Sequence, residues 1–121
     1  MDIEELDKII QEIKSDTVFE GIDDFERKLK ILENSDLRDI DTISTIDLAN
    51  NHILMIESLQ KNLCLVEDCL QTANSEESVE NIKGVVVDMR DDLVPSLRDQ
   101  KSFIKKAISR ILTSKKTKTK R

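Results

Sequence analysis

The feature that most constrains this chain is a run of seven positions, His52, Ile56, Leu59, Leu63, Val66, Leu70 and Ala73, separated by four and three residues in alternation, with Ala49 one step earlier. That spacing keeps side chains on one stripe of a 3.6-residue helix and cannot be reconciled with the two-residue alternation of a strand. Sustained over this length it is a heptad seam, the pattern by which helices pack side by side. A helix over about 42–73 is predicted, roughly 48 Å long at ~1.5 Å per residue. A compact ball of 121 residues has a radius of gyration of about 14 Å, so such a helix has to run along a bundle.

The flanking segments repeat the pattern less cleanly. Ile3, Leu6, Ile10 and Ile13 form one stripe and Val18, Ile22, Phe25, Leu29 and Leu32 a second, joined by a five-residue step across Ser15, Asp16 and Thr17. Thr17 and Glu20 have the spacing of a capping box, and Gly21 is a weak point. These residues predict either two short helices, about 2–14 and 17–33, or one helix bent near Asp16. Asn34, Ser35, Asp36 and Asp39 supply turn chemistry and a reversal. Asn74, answered by Glu77, is the expected cap of a third helix over 75–112. Its stripe, Val79, Ile82, Val86, Met89 and Leu93, resumes after Pro95 one residue out of phase as Leu97, Ile104, Ile108 and Ile111. A proline inside a helix removes a donor and clashes with the carbonyl four residues back, here Asp91, so a kink is expected at Asp91–Pro95. Gly84, Val85, Val86 and Val87 favour a strand by propensity, but the helical spacing continues through them.

The fold class predicted is all-α: an elongated antiparallel helical bundle, or helical hairpin, of three to four helices with coiled-coil character, kinked near Pro95. One domain is expected over 1–112, with helices at about 2–33 (broken near 15–21), 42–73 and 75–112, followed by a basic disordered tail at 113–121. Composition sharpens this picture. The chain is 36% charged and 38% hydrophobic, with three phenylalanines and neither tryptophan nor tyrosine, so three helices enclose only a thin core and neighbours could complete it. The N-terminal half of the seam helix adds Ile46, Leu48, Ile53, Leu54 and Met55, an apolar arc broad enough for two packing partners.

No unbroken apolar run exceeds four residues, as at Ile53–Ile56, against about 18 needed to span a bilayer. Met1–Glu5 have neither the basic start and apolar stretch of a secretory signal nor the arginine-rich character of a presequence. An intracellular chain is expected, most simply cytoplasmic, with the nucleus as the other compartment. Cys64 and Cys69 are expected to be reduced thiols buried as small hydrophobes.

Catalytic chemistry finds no constellation. His52 is the sole histidine, and it lies about 18 Å along one helix from Cys64, too far to activate a thiol. The spacing of Cys64, Cys69 and His52 does not match a structural zinc site. Asp88, Asp91, Asp92 and Asp99 lie beside Arg90 and Arg98 as a solvated face and lack the glycine and alternating ligands of a calcium loop. Gly21 and Gly84 are isolated, so no phosphate loop is present. No catalytic residue, metal or cofactor is expected, and the chain is not read as an enzyme. His52 itself is expected at the edge of the core with its ring half exposed.

Charge is distributed unevenly: residues 1–47 carry 15 acidic and 6 basic groups, whereas 100–121 carry 9 basic and none acidic. The terminal basic set is Lys115, Lys116, Lys118, Lys120 and Arg121, preceded by Lys101, Lys105, Lys106 and Arg110. Such a patch suits anionic lipid or an acidic protein surface. Nucleic acid is disfavoured, because only Phe103 stands near the basic residues as a stacking platform.

The expected function is that of a non-catalytic helical subunit mediating protein–protein interaction in a multi-subunit intracellular complex, with other helical proteins as hetero-oligomeric partners. The docking residues read from the pattern are Leu48, Ile53, Ile56, Leu59, Leu63, Val66, Leu70 and Leu93. In general organisation the chain is similar to small coiled-coil subunits of membrane-trafficking and kinetochore assemblies, an analogy carried by no shared motif. The alternative is a peripheral adaptor whose basic C-terminal tail binds an anionic surface such as membrane lipid.

Overall fold

The computed structural model describes residues 3–119, and the side chains of residues 3–114. Among them every regular element is helical and no strand occurs. Helix α1, Ile3–Lys14, buries Leu6, Ile9, Ile10 and Ile13. A 3-10 turn follows at Thr17–Phe19, and α2 spans Ile22–Glu33 with Phe25, Leu29 and Leu32 inside. The first segment is thus two helices. The capping box read from Thr17 and Glu20 does not start the second one. Asp16 takes the cap, accepting from the Val18 amide at 2.9 Å, and the tight turn it holds swings Val18 into full burial, which absorbs the five-residue step between the stripes. Gly21 then caps α2 at φ +67°, a left-handed conformation that side chains with a Cβ adopt only under strain.

Helix α3, Ile40–Thr72, starts at Asp39, whose carboxylate accepts from the Thr42 amide at 3.3 Å and the Thr42 hydroxyl at 2.7 Å. Ser75, one residue beyond the expected Asn74, caps α4, Glu76–Asp88, by accepting from the Ser78 amide at 3.1 Å. Gly84–Val87 lie within that helix. Where the sequence places a proline kink, the backbone makes a π-helical segment, Met89–Leu93, in which the Val94 amide donates to the Met89 carbonyl, and α5 continues as Val94–Thr119. A π turn accommodates one extra residue, and this accounts for the phase offset of the stripe. The buried positions run Val86, Met89, Val94, Leu97, so a five-residue step keeps to one face. Val94, and not Leu93, occupies the core position; Leu93 is only partly buried.

Helix α5 extends past residue 112, where the sequence places the start of a disordered tail; no glycine or proline follows to end it, and lysine is a good helix former.

Two apolar clusters give the order of the rods. The first joins α1 (Leu6–Ile13), the C-terminal half of α3 (Ile56–Leu63), α4 (Val79, Val86) and the start of α5 (Val94, Leu97). The second joins α2 (Phe25–Leu32), the N-terminal half of α3 (Ala49, with Ile46 and Ile53 partly buried) and the far part of α5 (Ile104–Ile111). The chain therefore runs from the first cluster to the second in α1–α2, back in α3, and forward again in α4–α5. Helix α3 lies against both flanking rods, but they do not fill its broad apolar arc: Ile46 and Ile53 are partly buried, whereas Leu48, Leu54 and Met55 stay exposed. Exposed ion pairs stitch the acidic first rod to its neighbours: Lys14–Glu67 at 2.5 Å, Arg98–Asp16 at 3.5 Å, Arg90–Glu12 at 3.8 Å and Lys83–Glu5 at 3.9 Å. Each is worth at most about 1 kcal/mol at such a surface, so the apolar clusters hold the fold. No helix among the described residues is long and apolar enough to cross a membrane.

Candidate functional site

The seam that the sequence offers for docking is closed by the chain itself. Ile56, Leu59 and Leu63 are buried in the first cluster, and Val66, Leu70 and Leu93 pack against it partly buried. Ile53 packs against the second cluster. Of the expected docking residues only Leu48, at 39% exposure, stands open. The correction is physical: a heptad shows that a helix is contacted, not whose, and here α1, α4 and α5 supply the contacts. Of the expected basic set, Lys120 and Arg121 lie outside the described residues, as do the side chains of Lys115, Lys116 and Lys118.

What remains outward is a different set. Ile40, Ile43, Leu54 and Leu65 lie on the side of α3 away from the seam, and all are exposed. At about 100° per residue Leu54 and Leu65 share one line three turns apart. A groove of about 350 Å3 runs between α3 and α4, with Leu65, Val66, Cys69, Ile82, Val85 and Met89 in its lining. Leu65 and Val85, at 56% and 49% exposure, form its open lips. The groove is overwhelmingly apolar; Asn62 and Asn81 are its polar members. Sequence reading missed it because it lies between two helices, while each stripe was followed singly. Leu65 and Val85, apolar but off their stripes, were the available signal.

Both cysteines are exposed and free, not buried. Cys64 and Cys69 sit one position from Leu63 and Leu70, hence about 100° off the seam. His52 departs from expectation in the other direction, since it is fully buried. Its Nδ1 lies 2.8 Å from Gln100 Oε1, the tautomer with a proton on Nδ1 donating to that oxygen, and its ring is tilted 49° against Phe25 with centroids 5.5 Å apart. Nε2 is buried with no hydrogen-bond partner. Burial lowers the His52 pKa below the ordinary 6.5, opposed by the Gln100 hydrogen bond and aided by the nearby Lys101 charge. A buried polar group on a seam suits the fixing of register between rods.

A second cleft, of about 650 Å3, opens between the α1–α2 junction and α5, lined by Thr17, Glu20, Gly21, Arg98, Lys101, Ser102, Lys105 and Lys106. Lys101 reaches across it, donating to the Thr17 carbonyl at 2.9 Å and to the Glu20 carbonyl. The Thr17 carbonyl also closes the 3-10 turn, accepting from the Glu20 amide at 3.0 Å. Burial, and then the Lys105 charge, lower the Lys101 pKa, while Glu20 and Asp16 act the other way.

Among the described residues no group of three or more His, Cys, Asp or Glu is placed to hold a metal ion. Asp91 is engaged with Arg90 at 2.9 Å, and that contact holds its carboxyl below the usual range. No protein-family model matches the sequence, and comparison with curated proteins and with solved structures finds no match.

Proposed function

We propose that this chain is a non-catalytic helical subunit that takes up a helix of another protein within an intracellular, most simply cytoplasmic, assembly. The reading includes an elongated antiparallel bundle of coiled-coil character, bent at the π segment before Pro95. The observation that carries it is the α3–α4 groove: the chain has already covered its own seam, yet an apolar channel with lips at Leu65 and Val85 stays open to water. An amphipathic helix laid in such a channel is a recurring mode of recognition, anchored by apolar side chains one turn apart. The sole histidine, sealed in the core, supports a binding role over a catalytic one.

The test compares wild type with Leu65→Asp and Val85→Asp in quantitative affinity capture from the native cell, each variant first checked for an unchanged melting curve. Both substituted positions are about half exposed, so the fold should tolerate the charge, whereas a docked helix would have to desolvate it at several kcal/mol. Proteins held by wild type and lost from both variants support the reading; undiminished capture by both contradicts it.

A second reading, the peripheral adaptor, is favoured by the nine basic and no acidic residues of 100–121. Deleting 113–121 should then abolish co-sedimentation with anionic vesicles, and that co-sedimentation should fade with added salt. Unchanged binding after the deletion would remove the adaptor.

A further inference from the structure

From the cleft between the α1–α2 junction and the first half of α5, we infer a binding site for a phosphomonoester dianion, built by Arg98, Lys101, Lys105 and Lys106 together with the hydroxyls of Thr17 and Ser102. The inference uses no residue of the docking groove or of the segment 113–121, although Lys101, Lys105 and Lys106 are three of the nine basic residues of 100–121.

Charge arithmetic sets the ligand class. Four cations line the cleft, against Glu20 in the lining and Asp16 paired with Arg98. Two positive charges are left over, matching the charge of roughly −1.5 to −2 that a phosphomonoester carries near neutral pH. The cations also divide by duty. Lys101 ties the Thr17 and Glu20 carbonyls, and Arg98 pairs with Asp16 at 3.5 Å. Lys105 and Lys106 are exposed, line the same cleft, and have no ion pair among the described residues.

Arg98, Lys101 and Lys105 stand at three- and four-residue spacing, so the helix concentrates like charge on a single face, a destabilising arrangement. The lowered Lys101 pKa carries the same sign, Lys105 being one of its causes. An entering dianion reverses this repulsion and accepts charge-assisted hydrogen bonds from the ammonium groups and hydroxyls. The cleft, about 650 Å3 and open to solvent, leaves room for the group that bears the phosphate. The same chemistry is offered by a soluble phosphomonoester and by a lipid whose headgroup is one.

The experiment follows backbone amide shifts of the full chain at constant ionic strength while glycerol 3-phosphate is titrated in, with dimethyl phosphate, a monoanionic diester, as the comparison. A parallel arm measures co-sedimentation with phosphatidylcholine vesicles carrying phosphatidic acid, against vesicles carrying phosphatidylserine. The expected result is saturable shifts centred on Thr17, Gly21, Ser102 and Lys105, with the diester about tenfold weaker, since tenfold is the loss of a single charge-assisted contact of modest strength. Lys105→Gln combined with Lys106→Gln should weaken glycerol 3-phosphate by about tenfold or more on the same grounds. Arg110→Gln, which removes a cation outside the cleft, should leave it within about twofold, as expected of a screened charge.

Selective binding to phosphatidic acid vesicles, lost in the double variant, assigns the site to a lipid headgroup; binding of glycerol 3-phosphate without vesicle selectivity assigns it to a soluble compound. The site is overturned if neither probe binds, if the diester binds equally well, or if Arg110→Gln weakens binding as much as the double variant.

Discussion

The two ends of the bundle are built differently. The first cluster, where α1 meets the C-terminal half of α3 and the π segment, is wholly apolar, with thirteen buried residues. The second, where α2 meets the N-terminal half of α3 and the far part of α5, has seven, and buried polar groups adjoin it: His52 against Phe25, and Ser35, whose hydroxyl donates to the Leu32 carbonyl. An apolar core gives stability but tolerates sliding of one helix along another. The contact of buried His52 with the partly buried Gln100 resists sliding, because a one-turn slip would leave the His52 ring buried without that partner. The first end therefore supplies most of the folding energy, and the second fixes the register in which it is spent.

This contrast can be broken most directly at the first end. Leu59→Ala, at a site 1% exposed, should destabilise the chain by about 2–5 kcal/mol, read as a lowered denaturant midpoint. Leu59→Asp should prevent folding, and not merely partner binding, because the carboxylate would be buried inside the chain's own core. A Leu59→Asp protein with a normal melt would show that the first cluster does not hold the fold together.

The junction of the two ends comes next. Gly21 has open space where a Cβ would stand, so only its φ of +67° resists substitution. Gly21→Ala should cost about 1–2 kcal/mol from backbone strain, seen by denaturant titration. A neutral result would mean that α2 can start without the left-handed residue.

The second end should respond to pH where the first does not. Burial depresses the His52 pKa in the folded chain, so the unfolded chain, titrating near 6.5, binds the proton more readily. Stability from neutral His52 is complete above about pH 6.5 and is lost as pH falls below it toward the folded-state value. Between about pH 7 and pH 5 the melting temperature of wild type should fall, and that of His52→Leu should fall less, since carboxylates titrate mainly below this window. Amide protection, taken relative to the intrinsic exchange rate at each pH, should fall first in α2 and the N-terminal half of α3. Equal slopes in the two proteins would remove the distinction between the ends.

The smallest effect lies in α4, beside the first cluster. Gly84 is helical, and a Cβ there meets nothing within 4 Å. Gly84→Ala should stabilise by about 0.5–1 kcal/mol, with a corresponding rise in melting temperature and no change in its pH dependence.

Much of the scaffold was legible in the sequence because it depends on periodicity. The stripes of α1, α2 and α3 run close to the residues that bury there, and the turn chemistry at 34–41 and 74–75 marks both reversals. Features that depend on which rod meets which were not. The seam residues Ile56, Leu59 and Leu63 read equally well as facing a partner or as facing α1 and α4. His52 read as half exposed because Gln100, forty-eight residues away, is invisible to local spacing. Pro95 announced an irregularity, but a proline kink and a π turn both shift the stripe by one residue, so the exchange of Leu93 for Val94 in the core had no local signature. The candidate sites show the same division. The surplus of lysine near the C-terminus was plain, whereas the joining of Arg98–Lys106 to Thr17–Gly21 exists only once the first and third rods lie side by side. Likewise, Leu65 and Val85 became lips of one groove only through the pairing of α3 with α4.

Hydrogen exchange on the isolated chain, purified away from any partner, decides whether the bundle closes its own seam. The amides of Ile56–Leu63 should be among the most slowly exchanging in a cooperatively melting protein, as befits the centre of the larger apolar cluster. Rapid exchange across Ile56–Leu63, slowing only when another protein is added, would show that the seam belongs to a partner after all.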